Sequence, residues 1–114
     1  MKYTIGVDIG GTNIVVGIID ESYNVVTKES FKTNAPRSAE EICDDIVSSY
    51  KHLAQKAGIS LDEIEEIGIA CPGIIKDGVV VSATNLKFTD TPLKSITEEK
   101  TGLRCEVCND ANAV

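Results

Sequence analysis

Three short runs of apolar and β-branched residues open the chain, at positions 3–9, 13–19 and 25–32. A Gly-Gly-Thr turn joins the first run to the second, and glycine permits a tight reversal of the chain. A polar turn separates the second run from the third, where apolar and polar positions alternate as they do in a strand. The pattern predicts a fold that opens with three antiparallel strands.

A long amphipathic helix is predicted after the third strand. Ser38 and Glu41 have the spacing of a capping box, in which each side chain accepts a hydrogen bond from the other residue's amide. Gly58 is placed to adopt the left-handed conformation just beyond the helix end. Between them, apolar residues recur at helical spacing, so we expect one face to be buried and the opposite face to be solvated. The apolar face consists of Ile42, Ile46, Tyr50, Leu53 and Ala57.

The middle of the chain predicts a strand and a hairpin. Residues 66–71 alternate apolar with smaller or polar residues and end at a Pro-Gly pair, which indicates a strand that joins the first sheet. Asp77 and Gly78 then stand between two short apolar runs, and an Asp-Gly pair is a strong signal for a hairpin turn. We expect this small ribbon to project from the core.

The last part of the chain predicts a helix, a strand and the beginning of a further helix. Thr91 and Pro92 suit the cap and the first helical position, and Gly102 suits the helix end. Residues 104–108 follow as a strand, and residues 109–113 as the start of another helix. The order of elements predicts one α/β domain with a mixed sheet and helices packed on it.

Charge and hydrophobicity exclude several classes of partner. Eighteen acidic residues against eleven basic ones give a formal charge of -7. No stretch gathers Lys and Arg into a patch that would bind a phosphate backbone, so we expect no nucleic-acid partner. Asp8 interrupts the first apolar run before a signal-peptide core forms, and no apolar run has membrane-spanning length. We expect a soluble cytoplasmic protein with no membrane partner.

Four scattered cysteines are expected to be free thiols, because nothing in the sequence indicates an oxidising compartment. They are Cys43, Cys71, Cys105 and Cys108. The last two have a spacing used in metal sites, but a zinc site needs about four ligands and the one histidine, His52, is distant. In a strand, moreover, side chains three apart point to opposite faces. We expect the cysteines to be small buried hydrophobes.

Residues 8–13, Asp-Ile-Gly-Gly-Thr-Asn, are the first candidate for chemistry, at the end of the first predicted strand. Glycines lack the Cβ atoms that would keep a phosphate from the backbone amides, and Thr12 adds a hydroxyl donor. Asp8 adds a carboxylate suited to Mg²⁺ or its water shell. The segment is neither a dinucleotide fingerprint nor a P-loop, because no helix follows and no lysine comes after the glycines. Without further context, Gly-Gly-Thr between two strands is more often only a hairpin turn.

Asn109 and Asp110 are the second candidate, where the last predicted strand meets a helix. The positive end of a helix dipole favours an anion there. Asp110 is either the cap of that helix or a general base that accepts a proton from a substrate hydroxyl attacking phosphorus. In the second case, Asn109 orients a neighbouring hydroxyl.

Weaker candidates are Gly73, where backbone can approach a ligand closely, and Asn85, whose amide both donates and accepts as sugar recognition requires.

Four segments together resemble one family, the ROK sugar kinases. Residues 5–13 are similar to the N-terminal phosphate motif of ROK glucokinases, and residues 68–73 to their strand-to-loop Pro-Gly segment. Residues 85–93 resemble the sugar loop of the family, and residues 109–113 its catalytic motif. The matches occur in family order along nearly the whole chain, which makes the set far more specific than any one of them.

The resemblance implies an RNase H-like lobe of the actin-like ATPase superfamily, which uses ATP and Mg²⁺. The residues implied to face the ATP phosphates and the metal are Asp8, Gly10, Gly11, Thr12 and Asn13. The residues implied to line the sugar pocket are Gly73, Asn85, Asn109 and Asp110. In this picture Asp8 holds Mg²⁺, directly or through water. Asp110 is the base that activates the sugar's primary hydroxyl for in-line attack on the γ-phosphate.

The resemblance also implies that residues 1–114 are an N-terminal lobe. The family's zinc motif, its adenosine contacts and the Glu and His that complete its sugar pocket belong to a second lobe. We therefore expect structural zinc only in that C-terminal lobe, and a full-length homo-oligomeric kinase of glucose-like hexoses or N-acetylhexosamines. The lobe alone is expected to be inactive. An aromatic residue of the family's sugar loop has no match beyond Phe88, which leaves the sugar open.

Three alternatives remain open at this point. A ROK transcriptional repressor has a similar sugar-binding half, but it carries a winged helix before the first strand, where Met1 stands here, and the acidic charge opposes DNA contact. An actin-like ATPase, or an acetate or glycerol kinase, fits less well because the Asn-Asp-Ala-Asn run follows closely on Asn85. The third alternative is a noncatalytic domain that retains the fold.

Overall fold

The computed structural model describes residues 1–83, 86 and 88–109, and this part of the chain forms eight strands, two helices and a 3₁₀ turn. The first four strands are β1 Tyr3–Ile9, β2 Asn13–Ile19, β3 Val25–Lys32 and β4 Ile64–Cys71. The remaining strands are β5 Ile74–Lys76, β6 Val79–Ala83, β7 Phe88–Thr91 and β8 Arg104–Asn109. The helices are α1 Ala39–Ala57 and α2 Leu93–Thr101, and the 3₁₀ turn is Leu61–Glu63.

The main sheet has five strands in the order β3-β2-β1-β4-β8. β1 and β3 are antiparallel to β2, so the predicted opening of three antiparallel strands is confirmed. β4 lies parallel to β1, and β8 lies parallel to β4. The predicted pairing of residues 66–71 with the first sheet is therefore also confirmed. Because β1, β4 and β8 run in the same direction, their carboxyl ends lie along one edge of the sheet.

Helices cover one face of the main sheet. α1 packs on β2 and β3, and α2 packs on α1 and β8. Their apolar side chains and the inward-facing residues of the strands form one buried cluster that includes Ile5, Ile42 and Ile67. On the other face, the strand register places Gly6 between Gly17 and Gly68. The sheet is thus mixed, with helices on it, as predicted.

The ends of α1 match the sequence signals with two differences. The Ser38 oxygen accepts from the Glu41 amide at 3.2 Å, but the Glu41 carboxylate accepts from the Ser38 hydroxyl and not from its amide. Gly58 is left-handed, with φ of 73°, as predicted. Ala57 is exposed, because the reversal at Gly58 brings Ile59 against the core in its place.

The hairpin after β4 is larger than predicted. Asp77 and Gly78 have φ of 52° and 80°, the two positive values of a tight type I′ turn, so the predicted turn is confirmed. The expected projection from the core is wrong. Val80 and Phe88 are buried, and β7 adds a third strand to give the sheet β5-β6-β7.

The start of α2 lies one residue later than predicted. Thr91 is the last residue of β7 and pairs with Val80, so its backbone is held in the sheet and does not cap the helix. Pro92 occupies the cap position without a side-chain hydrogen bond. The carbonyl of Gly78 accepts from the Lys94 amide at 3.1 Å, and it takes over part of the role of a cap.

All four cysteines are free thiols, as expected. Cys105 lies on the helix-covered face of β8, where burial raises its pKa to about 12. Cys108 is exposed, so the expectation that it is buried is wrong. Cys108 stands three residues after Cys105 in the strand, so its side chain points to the opposite face of the sheet. Across residues 1–83, 86 and 88–109, no helix is long and apolar enough to span a membrane.

Candidate functional site

The predicted site residues that the structure describes lie along the carboxyl edge of the main sheet. Asp8 pairs with Ala70 in β4, and Ala70 pairs with Cys108, the residue before Asn109. Two strand spacings of about 4.8 Å separate β1 from β8, so Asp8 and Cys108 lie about 10 Å apart. Asp8 itself is exposed at this edge. The sheet thus brings the beginning and the end of the chain to one place.

The loop between β1 and β2 is held by backbone hydrogen bonds. The Gly10 amide donates to the Asn13 carbonyl at 2.9 Å. A Cβ at Gly10 would lie 2.8 Å from that carbonyl oxygen, a separation that real Cβ atoms do not show. Gly10 is not left-handed, so glycine is needed here for space and not for the conformational freedom that the sequence suggested. Thr12 and Asn13 are exposed at the tip.

A second contact joins the loop after β4 to the end of β8. Gly73 has φ of 102°, and a Cβ there would overlap the Ser82 carbonyl and lie 2.9 Å from the Cα of Ala83. The Asn109 side-chain amide donates to the Gly73 carbonyl. Two residues predicted to bind a sugar, Gly73 and Asn109, are therefore in direct contact. Asn85 and Asp110, the other two, lie outside the described residues.

Sequence reasoning missed Thr33, the residue directly after β3. Its side chain is fully buried, its amide donates to the Thr12 carbonyl at 2.9 Å, and its hydroxyl donates to the Gly10 carbonyl at 2.7 Å. The carbonyl of Thr33 in turn accepts from Arg37 at 3.4 Å, and the Arg37 guanidinium donates to Asp45 at 2.7 Å. The bond to Asp45 raises the pKa of Arg37.

The residues around Asp8 form an open surface. A depression of about 230 Å³ on the face of the sheet away from the helices is lined by Asp8 together with Gly6, Gly17 and Lys28. Enclosed ligand pockets are larger, about 300–1,000 Å³. A depression of about 420 Å³ between β3 and α1, lined by Glu29 and His52 among others, contains none of the predicted site residues. The described residues therefore supply one wall of a site.

The edge suits the phosphates and the metal of a nucleotide. Mg²⁺ in such sites is held by one or two carboxylates, with phosphate oxygens and water completing its shell, and the exposed Asp8 carboxylate fits that pattern. The tip of the neighbouring loop exposes Thr12 and Asn13, where a phosphate would meet them. Within the described part of the chain, no three His, Cys, Asp or Glu side chains gather as a metal cluster.

Comparison with known proteins identifies relatives over nearly the whole chain. The profile of the ROK family matches residues 4–114. The glucokinase of Streptomyces coelicolor is 37% identical over 115 residues, which cover 99% of this chain and 34% of that protein. The N-acetylmannosamine kinase of Escherichia coli is 34% identical over 116 residues, 96% of this chain and 36% of that protein. The xylose repressor of Caldicellulosiruptor bescii is 31% identical over 111 residues, 96% of this chain and 28% of that protein.

Solved structures show the same fold. A ROK family glucokinase from Streptomyces griseus, in complex with glucose and AMPPNP, matches with a TM-score of 0.82 and 36% identity, over 97% of this chain and 34% of that one. An inorganic polyphosphate/ATP-glucomannokinase from Arthrobacter matches with a TM-score of 0.84 and 29% identity, over 99% and 46%. The predicted fold class, an RNase H-like lobe of the actin-like ATPase superfamily, is confirmed. The chain spans about a third of the length of the relatives it matches.

Proposed function

The chain belongs to the ROK family, and on that premise we propose that it is the N-terminal lobe of an ATP-dependent sugar kinase. The proposed substrates are a glucose-like hexose or an N-acetylhexosamine, phosphorylated at the primary hydroxyl. The observation that carries this proposal is the meeting of two structures at one sheet edge, the loop at residues 8–13 and the contact between Gly73 and Asn109. Relatives named as glucokinases and an N-acetylmannosamine kinase support it.

The loop between β1 and β2 is proposed to bind the phosphates of ATP. The residues of this set are Asp8, Gly10, Gly11, Thr12 and Asn13. The amide of Gly11 and the hydroxyl of Thr12 would donate to phosphate oxygens, and Asp8 would hold Mg²⁺, directly or through water. Mg²⁺ bound there would offset the negative charge of the phosphates. That contribution matters in a chain with a formal charge of -7.

The residues proposed to bind the sugar are Gly73, Asn85, Asn109 and Asp110. Asn109 fixes the Gly73 carbonyl, and Gly73 in turn packs against Ser82 and Ala83, which precede Asn85 in the sequence. Among the described residues, the segments at 73, at 82–83 and at 109 are therefore in contact. Asp110, the next residue after Asn109, is proposed as the general base that accepts the proton of the sugar hydroxyl.

A second lobe is needed to complete the proposed reaction. The described residues form an open wall, and phosphoryl transfer requires a site that excludes water and aligns the two substrates. We propose that the remaining part of a longer protein supplies the adenosine contacts, the rest of the sugar pocket and any structural zinc. The full-length protein is proposed to be a cytoplasmic homo-oligomer. The 114-residue lobe alone is predicted to show no turnover.

The test is ADP release by the full-length protein with glucose, mannose, fructose, N-acetylglucosamine and N-acetylmannosamine. Asp110→Asn is expected to lower kcat at least a hundredfold on the sugar that is used, since a general base contributes about 10²–10⁴-fold. Asp62→Asn is the matched control. It removes one exposed carboxylate from the 3₁₀ turn before β4, at the opposite end of that strand, and should leave kcat unchanged. Equal activity of both variants would contradict the assignment of Asp110.

A sugar-binding repressor is the second candidate, because the xylose repressor of Caldicellulosiruptor bescii is 31% identical. The two candidates differ in the consequence of sugar binding. A repressor would bind a sugar, measured by calorimetry, without releasing ADP under any condition in the panel. The excess of acidic over basic residues in this part of the chain favours the kinase, since no stretch of its sequence gathers the positive charge used for DNA.

A further inference from the structure

Thr33 connects the proposed phosphate loop to the helical layer. It follows directly on β3, whose last residue, Lys32, pairs with Asn13 at the start of β2. The antiparallel register therefore places Thr33 beside the turn at residues 10–12. Both hydrogen-bond donors of Thr33 are used on that turn, the amide on the Thr12 carbonyl and the hydroxyl on the Gly10 carbonyl.

The two bonds set the direction of the loop's amides. Thr33 holds the carbonyls of Gly10 and Thr12, which belong to the peptide units that also contain the amides of Gly11 and Asn13. In a planar trans peptide the N–H group points opposite to the carbonyl. With both carbonyls turned towards Thr33, the amides of Gly11 and Asn13 point away from it. An anion bound on the side of the loop opposite Thr33 would meet the Gly11 amide.

Thr33 is itself fixed from the other side. Its side chain is fully buried, and its carbonyl accepts from Arg37, which also donates to Asp45 in α1 and to the Glu41 carbonyl. The loop is therefore linked through Thr33 and Arg37 to the first turns of α1. These bonds restrain the loop before a ligand binds, and such restraint lowers the cost of binding.

We propose that Thr33 is a positioning residue for ATP binding, whose hydroxyl orients the amides of the loop at residues 10–13 without contacting the nucleotide. The proposal rests on the proposed function, because it assigns the anion at this loop to ATP phosphates. Loss of the hydroxyl alone leaves the Gly10 carbonyl without its partner. The loop then turns that carbonyl towards water and reorients the Gly11 amide.

The first experiment compares three variants of the full-length protein. Thr33→Val removes the hydroxyl with little change of shape, and Thr33→Ser keeps it. Thr97→Val is the matched control, because Thr97 is also a buried threonine whose hydroxyl bonds a neighbour, the Cys43 thiol at 3.4 Å, but it lies in α2 away from the loop. KM for ATP, KM for the sugar and kcat are measured for each, with Tm recorded alongside.

Thr33→Val is expected to raise KM for ATP about tenfold with little change in KM for the sugar, as loss of one buried hydrogen bond implies. Thr33→Ser should restore KM for ATP to within about threefold of the unmodified protein, and Thr97→Val should lower Tm without changing KM for ATP. The proposal is overturned if Thr33→Val leaves KM for ATP unchanged. It is also overturned if Thr97→Val raises that constant equally, since the effect would then be general destabilisation.

The second experiment is independent of kinase activity. Amide hydrogen exchange is measured by mass spectrometry in a peptide that spans residues 9–14 of the full-length protein, for the same three variants. Faster exchange in Thr33→Val alone supports the positioning role even if no sugar is phosphorylated, a result that would count against the proposed function only. Unchanged exchange in Thr33→Val, in a protein that does phosphorylate a sugar, would overturn the positioning role and leave the kinase assignment standing.

Discussion

Replacing Gly73 with alanine places a methyl group where the backbone leaves no room. The Cβ would overlap the Ser82 carbonyl oxygen and lie 2.9 Å from both the Cα and the Cβ of Ala83. The backbone there also has φ of 102°, which costs a residue with a Cβ about 1–2 kcal/mol. Relief of the overlap adds about 1–3 kcal/mol. We expect the free energy of unfolding to fall by about 2–5 kcal/mol in total, a large part of the ~5–15 kcal/mol of a typical domain.

Two other glycines separate the cost of the positive φ from the cost of the steric overlap. Gly102 has φ of 73° but open space around its Cβ position, so Gly102→Ala carries the conformational cost alone, about 1 kcal/mol. Gly68 has neither a positive φ nor a neighbour within 4 Å of the Cβ position, so Gly68→Ala should change stability by less than about 0.5 kcal/mol. Urea unfolding of the 114-residue chain, followed by circular dichroism, measures all three variants under the same conditions.

The order of stability among the three variants tests the close contact at Gly73. The structure requires the loss of stability to be largest for Gly73→Ala, intermediate for Gly102→Ala and smallest for Gly68→Ala. If Gly73→Ala were no more destabilising than Gly102→Ala, the close approach of the β4 loop to Ser82 and Ala83 would be refuted. In the full-length protein, Gly73→Ala should in addition raise KM for the sugar more than KM for ATP, because Gly73 contacts Asn109 and not the loop of β1.

Two further predictions concern the thiols. Under native conditions at pH 7.5, a thiol reagent should label Cys108 rapidly and the three buried cysteines slowly, because only Cys108 is exposed, and equal labelling of all four without denaturant would contradict the placement of β8. Burial raises the pKa of Cys105 from 9.0 to about 12, so its thiol stays protonated in the folded chain while the unfolded chain ionises above pH 9. The contribution of this group to stability is therefore complete below pH 9 and is lost as the pH rises towards 12, and Cys105→Ala should show a shallower loss of stability over that range in urea unfolding at stepped pH.

Local signals were sufficient for the elements whose own residues determine them. The ends of α1 follow from Ser38 and Gly58, and the turn of the second sheet follows from Asp77 and Gly78, because each signal acts within a few residues. β7 was missed because Phe88 is its only apolar residue, and its strand conformation depends on pairing with β6. A strand of that composition has no pattern of its own to detect.

The site could be predicted only in part, for a related reason. Motifs in the sequence select Asp8, Gly10 and Asn109 as candidates, since each stands at or beside the end of a strand. The proposed role of Thr33 depends on the register between β2 and β3, which brings it beside a turn more than twenty residues earlier in the chain. The strict need for glycine at position 73 depends likewise on Ser82 in another strand. Sequence patterns locate candidate residues, but the neighbours that contact them are known only from the tertiary structure.

The position of the candidate site depends on how the strands are connected. Hairpins join β1 to β2 and β2 to β3 and reverse the chain each time, whereas the connections that contain α1 and α2 return it to the same direction. β1, β4 and β8 therefore all leave the core at one edge. Asp8 and Asn109 stand within one residue of the carboxyl ends of β1 and β8, so both lie near that edge. The crossover helices thus explain why residues far apart in the sequence meet at the edge where α/β sheets bind their ligands.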